Sequence, residues 1–486
     1  MSTPERPAPQ PLTLTEALVP VASLVLLVAL AFFLFGDAGA KGPNQVGLVI
    51  ATMVAAFVGW RRGHSLDSMK DAAVSSVSSG IGAIFILFGV GALIGAWAMS
   101  GTLVAMVYYG LQLLSPNHFY VTVAAACAVI SFCLGSSWTV VGTIGVGFMG
   151  IAMNMELNPA ITAAAIISGA YFGDTTSPLS DSANLAAAAG GVNLYEHVRV
   201  TAITSGIALA IALGVFSLFG EPGEFDAGEK VAAIERSFHI SLWLFAPLVL
   251  VVVMALMKVP PFTTIFMGAL AGGVLAAIVA PERVIDFARR VGQADLPSWM
   301  ALIKGVWLAL ASGYVSNTGI PALDTLATRG GMESMLATIW LVITALAFGG
   351  VVERIGVLER LIEPLSRTLK AGRVVASTVG AVVATNIITA DQYISIVLPG
   401  RMMKSAFQKL RLAPVVLTRT IGAAGTPTSA LVPWNSCGAY MAATLGVATF
   451  SYLPYAVFNF ASPLLAIAMG YLYAKKLPEP ARRADG

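Results

Sequence analysis

Charge is what this sequence has least of. Only 11% of its 486 residues are Asp, Glu, Lys or Arg, against about 25% in a soluble chain, so an ordinary solvated surface is excluded. The net charge of +3 is spread thinly, which gives no basic face for a nucleic-acid partner. The three cysteines, Cys127, Cys133 and Cys437, lie in apolar or small-residue segments and form no CxxC. They read as small core residues, not as a metal or redox site. Of the four histidines, His118, His197 and His239 fall at segment ends and His64 in a charged loop, so interfacial or solvated roles are expected. The strand alternation of an outer-membrane barrel is missing. The first apolar run lacks a small-residue cleavage site and is long enough to span, so it is not read as a signal peptide.

What is present is overwhelmingly apolar: 57% hydrophobic residues and a mean hydropathy of +0.82. Runs of about 20 apolar residues, the length a helix needs to cross a bilayer, recur at Val19–Phe35, Ile81–Met99 and Ala202–Phe219. The sequence therefore predicts an all-α polytopic membrane protein. The first half is expected to hold spans at Leu14–Phe35, Gln45–Trp60, Ile81–Met99 and Val198–Phe219. Between them come an interfacial helix at Leu66–Gly80, an arm at Thr102–Leu114, and a hairpin from His118 to Met153 joined at Gly135–Ser136–Ser137. After the acidic stretch Glu221–Glu235 the order recurs, with spans at Ile240–Met257 and Phe262–Ala280 and an amphipathic segment at Glu282–Arg290. An interfacial segment at Trp299–Tyr314, interrupted by Lys304, and a span at Leu336–Val352 follow. The chain then gives an arm at Val357–Leu369, a hairpin at Val374–Met403 joined at Thr385–Asp391, an interrupted helix at Ala413–Leu445 and a last span at Tyr452–Tyr473.

One stretch, Ser168–Gly191, stands apart. It carries two carboxylates, Asp174 and Asp181, with Thr175, Thr176, Ser177, Ser180, Ser182 and Asn184 around them. Gly173 and Pro178 separate an apolar helix (Pro159–Phe172) from a small-residue helix (Ala183–Ala189). An unwound helix frees backbone groups and is tolerated in lipid only where they line a cavity. A carboxylate at mid-bilayer costs roughly 2.5–3.5 kcal/mol even on the lenient insertion scale, so two in one break point to function. The plain alternative is a loop outside the membrane.

The repeated order predicts two related halves. Gly95-x5-Gly101-x-Leu103 matches Gly350-x5-Gly356-x-Leu358, and Gly173-Asp174 matches Gly425-Thr426. Each half has about five crossings, one hairpin and one interrupted helix, and an odd number of crossings inverts the second copy. The expected division is a disordered tail at 1–13, repeats at 14–220 and 239–474, an acidic connector at 221–238, and a tail at 475–486. Bases flank the second hairpin on both sides: Arg367, Lys370 and Arg373 before it, Arg401, Lys404, Lys409 and Arg411 after it. Both flanks then belong on the cytoplasmic side. Arms of some fifteen residues reach about 22 Å, short of a core near 30 Å, so the hairpin is expected to re-enter. Arg61, Arg62, Arg199, Lys475, Lys476, Arg482 and Arg483 fall inside as well, with both termini cytoplasmic, whereas Arg289 and Arg290 fall outside and count against the scheme.

Four polar breaks supply the candidate chemistry. The first tip offers Ser136, Ser137, Thr139 and Thr143, the second Thr385, Asn386, Thr389, Asp391 and Gln392. The interrupted helices offer Asp174, Thr175, Ser177, Asp181 and Asn184, then Thr426, Thr428, Ser429, Asn435 and Ser436. These are hard oxygen ligands, suited to an alkali or alkaline-earth cation. Asp174 and Asp181 would carry the countercharge; a carboxylate that cannot hold Na+ and H+ together exchanges one for the other. Glu353 reads either as a coupling acid or as half of an ion pair with its neighbour Arg354, and Asp324 as a loop acid. Trp138 and Trp434 suit cavity walls or aromatic packing.

Several segments carry a family resemblance: G-D-T-T-S-P-L-S-D-S-A-N-L-A-A-A (173–188), A-D-Q-Y-I-S-I-V-L-P-G-R-M (390–402) and V-P-W-N-S-C-G-A-Y-M (432–441). With R-G-G-M-E-S-M (329–335) and F-G-G-V-V-E-R-I-G-V-L-E (348–359), they resemble the NhaC-type Na+/H+ antiporter family. The resemblance implies secondary active exchange of Na+, or Li+, for H+ across a bacterial cytoplasmic membrane. Na+ is then cargo, with no cofactor. It also implies a scaffold that forms a homodimer in the lipid bilayer and a mobile transport unit. Similar proteins exchange malate for lactate, or amino acids, so a Na+- or H+-coupled carrier of a small carboxylate or amino acid is the alternative. Half-helix N-termini suit a carboxylate, with Arg419 as its partner if it faces inward. An intramembrane enzyme is disfavoured, because no His stands as a base and neither HExxH nor a paired GxGD-like motif occurs. A passive channel fits less well than alternating access.

Overall fold

The protein is described by a computed structural model covering residues 9–36, 39, 42–220, 228–237, 240–291, 296–317, 324, 327–366 and 370–473. The described residues contain no strand; one isolated antiparallel bridge joins Tyr314 to Arg329. Nine of their helices are long and apolar enough to cross a membrane, or ten if Thr449–Tyr455 and Val457–Leu472, bent by 56°, form one span.

The element order repeats. Ile81–Ser100, the arm Thr102–Leu113 and the pair Phe119–Leu134 and Ser137–Asn154 lead to Pro159–Thr176, Asp181–Gly190 and Leu194–Leu218. Leu336–Arg354, the arm Val357–Ser366 and the pair Ala371–Thr389 and Gln392–Lys409 lead to Pro414–Ser429, Ser436–Leu445 and Val457–Tyr473. Packing between the halves is reciprocal. Pro43–Arg61 of the first half lies on Leu336–Arg354, and Pro261–Val279 of the second on Ile81–Ser100. Leu194–Leu218 and Val457–Tyr473 pack on each other and on both long segments of the interrupted helices.

Small residues set the closest approaches. Gly169 and Gly173, one turn apart, press Pro159–Thr176 against Phe119–Leu134; a Cβ on Gly173 would strike the backbone of Ser131 and Phe132. Gly91 and Gly95 allow a close approach to Gly331 and, at Gly95, to the Ala309 carbonyl of Ser298–Ala311; the Gly331 N–H donates to the Gly91 carbonyl at 2.7 Å. In lipid, where tails are as apolar as Leu, such dispersion contacts carry helix association. A second apolar cluster, containing Val375, Val382, Ile396, Met403, Phe407 and Ile421 with Ala186 of the first half, ties the second hairpin to its interrupted helix.

Several boundaries differ from the sequence expectation. The second hairpin turns at Ala390–Asp391, so Thr385, Asn386 and Thr389 sit in the helix and not in the joint. Its arms have 19 and 18 residues, longer than the expected fifteen, and reach about 28 and 27 Å, still just short of a core near 30 Å. The arms of that hairpin pack side by side, whereas those of the first splay, Phe119–Leu134 onto Pro159–Thr176 and Ser137–Asn154 onto Thr102–Leu113. The helix carrying Asp174 continues to Thr176, because the break needs only Ser177–Ser180 around Pro178. A helix, Gly228–Ser237, occupies part of the acidic connector. Residues 1–8 of the expected tail, 221–227, Arg367, His239 and 475–486 with their four bases lie outside the described residues.

Candidate functional site: a caged carboxylate between two broken helices

The first hairpin turns at Gly135, whose φ of +72° lies in the left-handed region and whose missing Cβ lets the turn touch Leu179 and Ser180. That contact brings the tip to the first break. Ser136 then caps the second arm: its Oγ accepts from Thr139 N at 3.2 Å and from Thr139 Oγ1 at 3.0 Å. Ser137, the next residue, is buried and donates to Asp174 Oδ2 at 2.6 Å. From the far side of the break Ser180 donates to Asp174 Oδ1 at 2.7 Å, and Ser182 to the same oxygen at 3.0 Å. Ser180 and Ser182 are themselves 2.9 Å apart. A side chain 7% exposed thus holds its carboxylate inside three hydroxyls from two segments, the hairpin tip and the far side of the break. Just past Ser137, Val141–Gly145 forms a π turn, an irregularity common at functional sites.

The other expected residues divide. Thr175 and Ser177 are buried beside Asp174, but Thr175 Oγ1 donates to Tyr171 O at 2.6 Å and Ser177 Oγ accepts from Leu179 N at 3.1 Å. Asp181 and Asn184 are exposed. Asp181 opens the helix beyond the break, and Asn184 Nδ2 reaches Ser180 O at 2.8 Å. The two carboxylates differ in setting: Asp174 is enclosed, and Asp181 stands outside the hydroxyl shell but within electrostatic range of Asp174. Asp181 points outward between Ser180 and Ser182, which both face the cage.

In the second half the breaks are joined by amides. Asn386 Nδ2 donates to Gly425 O and to Thr428 Oγ1, both at 2.9 Å, and Asn435 Nδ2 donates to Asn386 Oδ1 at 3.1 Å. Trp434 Nε1 donates to Ile387 O at 2.7 Å, and Ser436 N to Ala390 O at 2.9 Å. Thr426 is buried in the last turns of Pro414–Ser429, and Thr389 Oγ1 returns to Thr385 O at 2.9 Å. Asp391 is half-buried and spends Oδ1 on capping Ile394 N at 2.8 Å. Pro427 leaves Ala423 O without its helical donor, and Ser462 of the last helix fills the gap at 2.8 Å. Glu353 forms no ion pair with Arg354 among the described residues; its electrostatic neighbours are the acids Glu359 and Asp391.

The two centres meet. Trp138 beside the first tip stacks on Tyr440 at 4.1 Å between centroids, and the Tyr440 hydroxyl donates to Trp138 O at 2.7 Å. Sequence reasoning did not include Ser180 and Ser182 in the site, although their spacing past Asp174 in a broken helix was the available signal. Tyr171, Tyr440 and Cys437 gave no such signal, because they lie in helices that read as core. His197, expected at an interface, is fully buried and shares Nδ1 with Thr418 Oγ1 at 3.1 Å. Arg419 is buried as well, 1% exposed. Among the described residues no three His, Cys, Asp or Glu side chains gather as for a metal ion; the hydroxyls and amides of the polar centre surround Asp174, with Asp181 within electrostatic range.

Nine apolar helices long enough to span among the described residues, with helices broken opposite hairpin tips around an enclosed carboxylate, mark a multi-pass membrane protein with a buried polar centre. Residues 169–473 match the Na+/H+ antiporter family, and the chain belongs to that family. It is 36% identical to the Na(+)/H(+) antiporter NhaC of Alkalihalophilus pseudofirmus, over 94% of this chain and 96% of that one. It is 34% identical to the Malate-2H(+)/Na(+)-lactate antiporter of Bacillus subtilis, over 94% of each. It is 32% identical to the Arginine/ornithine antiporter ArcD of Halobacterium salinarum, over 97% of this chain and 95% of that one. The YdaH transporter of Alcanivorax borkumensis aligns with 94% of this chain at 11% identity and a TM-score of 0.39, too low for argument.

Proposed function

We propose that this protein exchanges Na+, or Li+, for H+ by alternating access, with Asp174 as the group both ions share. The observation that carries the reading is the enclosure of the Asp174 carboxylate by Ser137, Ser180 and Ser182. A hydroxyl donates to a carboxylate in one rotamer and turns its lone pairs to a cation in another. The same cage therefore serves the proton-loaded and the Na+-loaded states. Protonation removes the countercharge, the cation leaves, and no cofactor is required. Membership of the Na+/H+ antiporter family supports this cargo above others.

The second reading, a coupled exchanger of a small carboxylate or amino acid, is favoured by two relatives whose names specify malate with lactate and arginine with ornithine. For the chain in its membrane we propose the cytoplasmic membrane of a bacterium, both termini inside, two inverted repeats with re-entrant tips, and a homodimer formed through the scaffold. The reciprocal packing of the two halves supports the repeat.

The test uses proteoliposomes with an imposed proton gradient and a pH-sensitive dye. Na+, Li+, K+, malate, lactate and amino acids are added singly. Collapse of the gradient by Na+ or Li+ alone is the expected result. A response only to an organic solute establishes the second reading instead.

A further inference from the structure

Tyr171 lies one helical turn before Asp174, on the same helix face. It is fully buried, and its hydroxyl completes no hydrogen bond of good geometry. Cys437 and Ser429 of the second half lie within hydrogen-bonding reach of that hydroxyl, with the Asp174 carboxylate within electrostatic range. Ser429 Oγ donates to Gln392 Oε1 at 2.9 Å and the Cys437 thiol to the same oxygen at 3.1 Å. A neutral polar group thus faces the caged carboxylate across the junction of the two halves. Stranding a buried hydroxyl costs about 1–3 kcal/mol, and buried polar groups are otherwise almost always satisfied. A partner that comes and goes accounts for one that is not.

We infer that the cation site extends from the Asp174 cage across the junction, with the Tyr171 hydroxyl oxygen as a ligand and Ser429 and Gln392 as the groups that position it. The ligand is a desolvated alkali cation. Tyr171 donates its proton to Ser429 or Cys437 and turns a lone pair toward the ion, while Asp174 supplies the charge. Because the shell draws on both halves, it closes only when they are packed as seen here. The number of oxygens around an ion tunes which ion is preferred. Li+ is satisfied by fewer oxygens than Na+, so the ligand from the second side matters more for Na+.

This deepens the exchange reading and rests on it. The decisive comparison is Tyr171→Phe against Asp174→Asn in full-length purified protein, by equilibrium binding of radioactive Na+ and by Na+- and Li+-driven collapse of a proton gradient. Tyr171→Phe is expected to raise half-saturating Na+ about tenfold or more, to shift Li+ less, and so to move the Li+/Na+ preference severalfold toward Li+. Ser429→Ala moves both in the same direction by a smaller factor. The ring of Tyr171 is retained and thermal unfolding reports folding, so a selectivity change at a melting temperature equal to or above the parent's separates ligation from structure. If Asp174→Asn abolishes Na+ binding while Tyr171→Phe leaves half-saturation and the Li+/Na+ ratio within twofold, the extended site is wrong and the exchange reading stands. If Asp174→Asn binds Na+ normally, the underlying reading fails as well.

Discussion

Replacing Asp174 by Asn changes almost nothing but the charge, so its consequence can be worked from the cage. The carboxylate is enclosed by three hydroxyls at 2.6, 2.7 and 3.0 Å, and no second acid is among its hydrogen-bond partners. Opposite unit charges 4 Å apart attract by about 4 kcal/mol at an effective dielectric near 20. Loss of that attraction corresponds to roughly a thousandfold in Na+ affinity, at 1.4 kcal/mol per factor of ten. The amide cannot hold the exchanged proton either, so transport should vanish even at saturating Na+. Folding should survive: a rotated serine hydroxyl can accept from the new NH2, and the net change in hydrogen bonding is about 1 kcal/mol. Dye-reported exchange in proteoliposomes, radioactive Na+ binding and thermal unfolding of the same preparation check all three statements. Half-saturating Na+ within threefold of the parent would refute the reasoning, since a caged countercharge cannot be dispensable. Asp181→Asn supplies the contrast. That carboxylate is exposed and screened by solvent ions, so exchange should fall no more than severalfold.

Other outcomes follow from the same geometry. Ser180→Ala and Ser182→Ala each remove one hydrogen bond to a charged group, worth about 1.5–3 kcal/mol, and should weaken Na+ binding by tenfold or more in the binding assay. Asn386→Ala removes the bonds that its amide donates to Gly425 O and Thr428 Oγ1 and strands the Asn435 amide that donates to Asn386 Oδ1. Buried groups left this way cost about 1–3 kcal/mol each, so a clear fall in melting temperature is expected, and the Asn386→Ala/Asn435→Ala double variant should lose less than the sum. Gly173→Val forces a side chain into the backbone of Ser131 and Phe132; overpacking of about 1–3 kcal/mol or more should abolish monodisperse protein on size exclusion, because both contacts are backbone and neither can move aside.

Most of the architecture was legible in the sequence, for a physical reason. In lipid every backbone group must be satisfied within its own segment, so spans are long, continuous and helical, and the interruptions stand out. Leu14–Phe35 was read to the residue, and Ile81–Ser100 and Thr102–Leu113 within one. Pro and Gly marked both interrupted helices. The second hairpin was read too wide, at Thr385–Asp391, because threonine and asparagine look like loop formers. Inside the helix they instead bond to carbonyls four residues back or to the opposite break, as Thr385, Thr389 and Asn386 do.

Composition and order alone thus determined a helical membrane protein with repeated halves, broken helices and a polar set rich in hydroxyls, since these depend only on each segment's own balance of apolar and polar groups. Only the tertiary structure decided which polar groups share a centre. Asp174 and Asp181 are seven positions apart and chemically alike, yet the approach of Gly135 to Leu179 and Ser180 encloses the first and leaves the second outside. Tyr171 and Cys437 are 266 positions apart, and nothing local to either announces the other. Contacts of that range are set by which helix faces pack together, and a one-dimensional pattern does not carry that information.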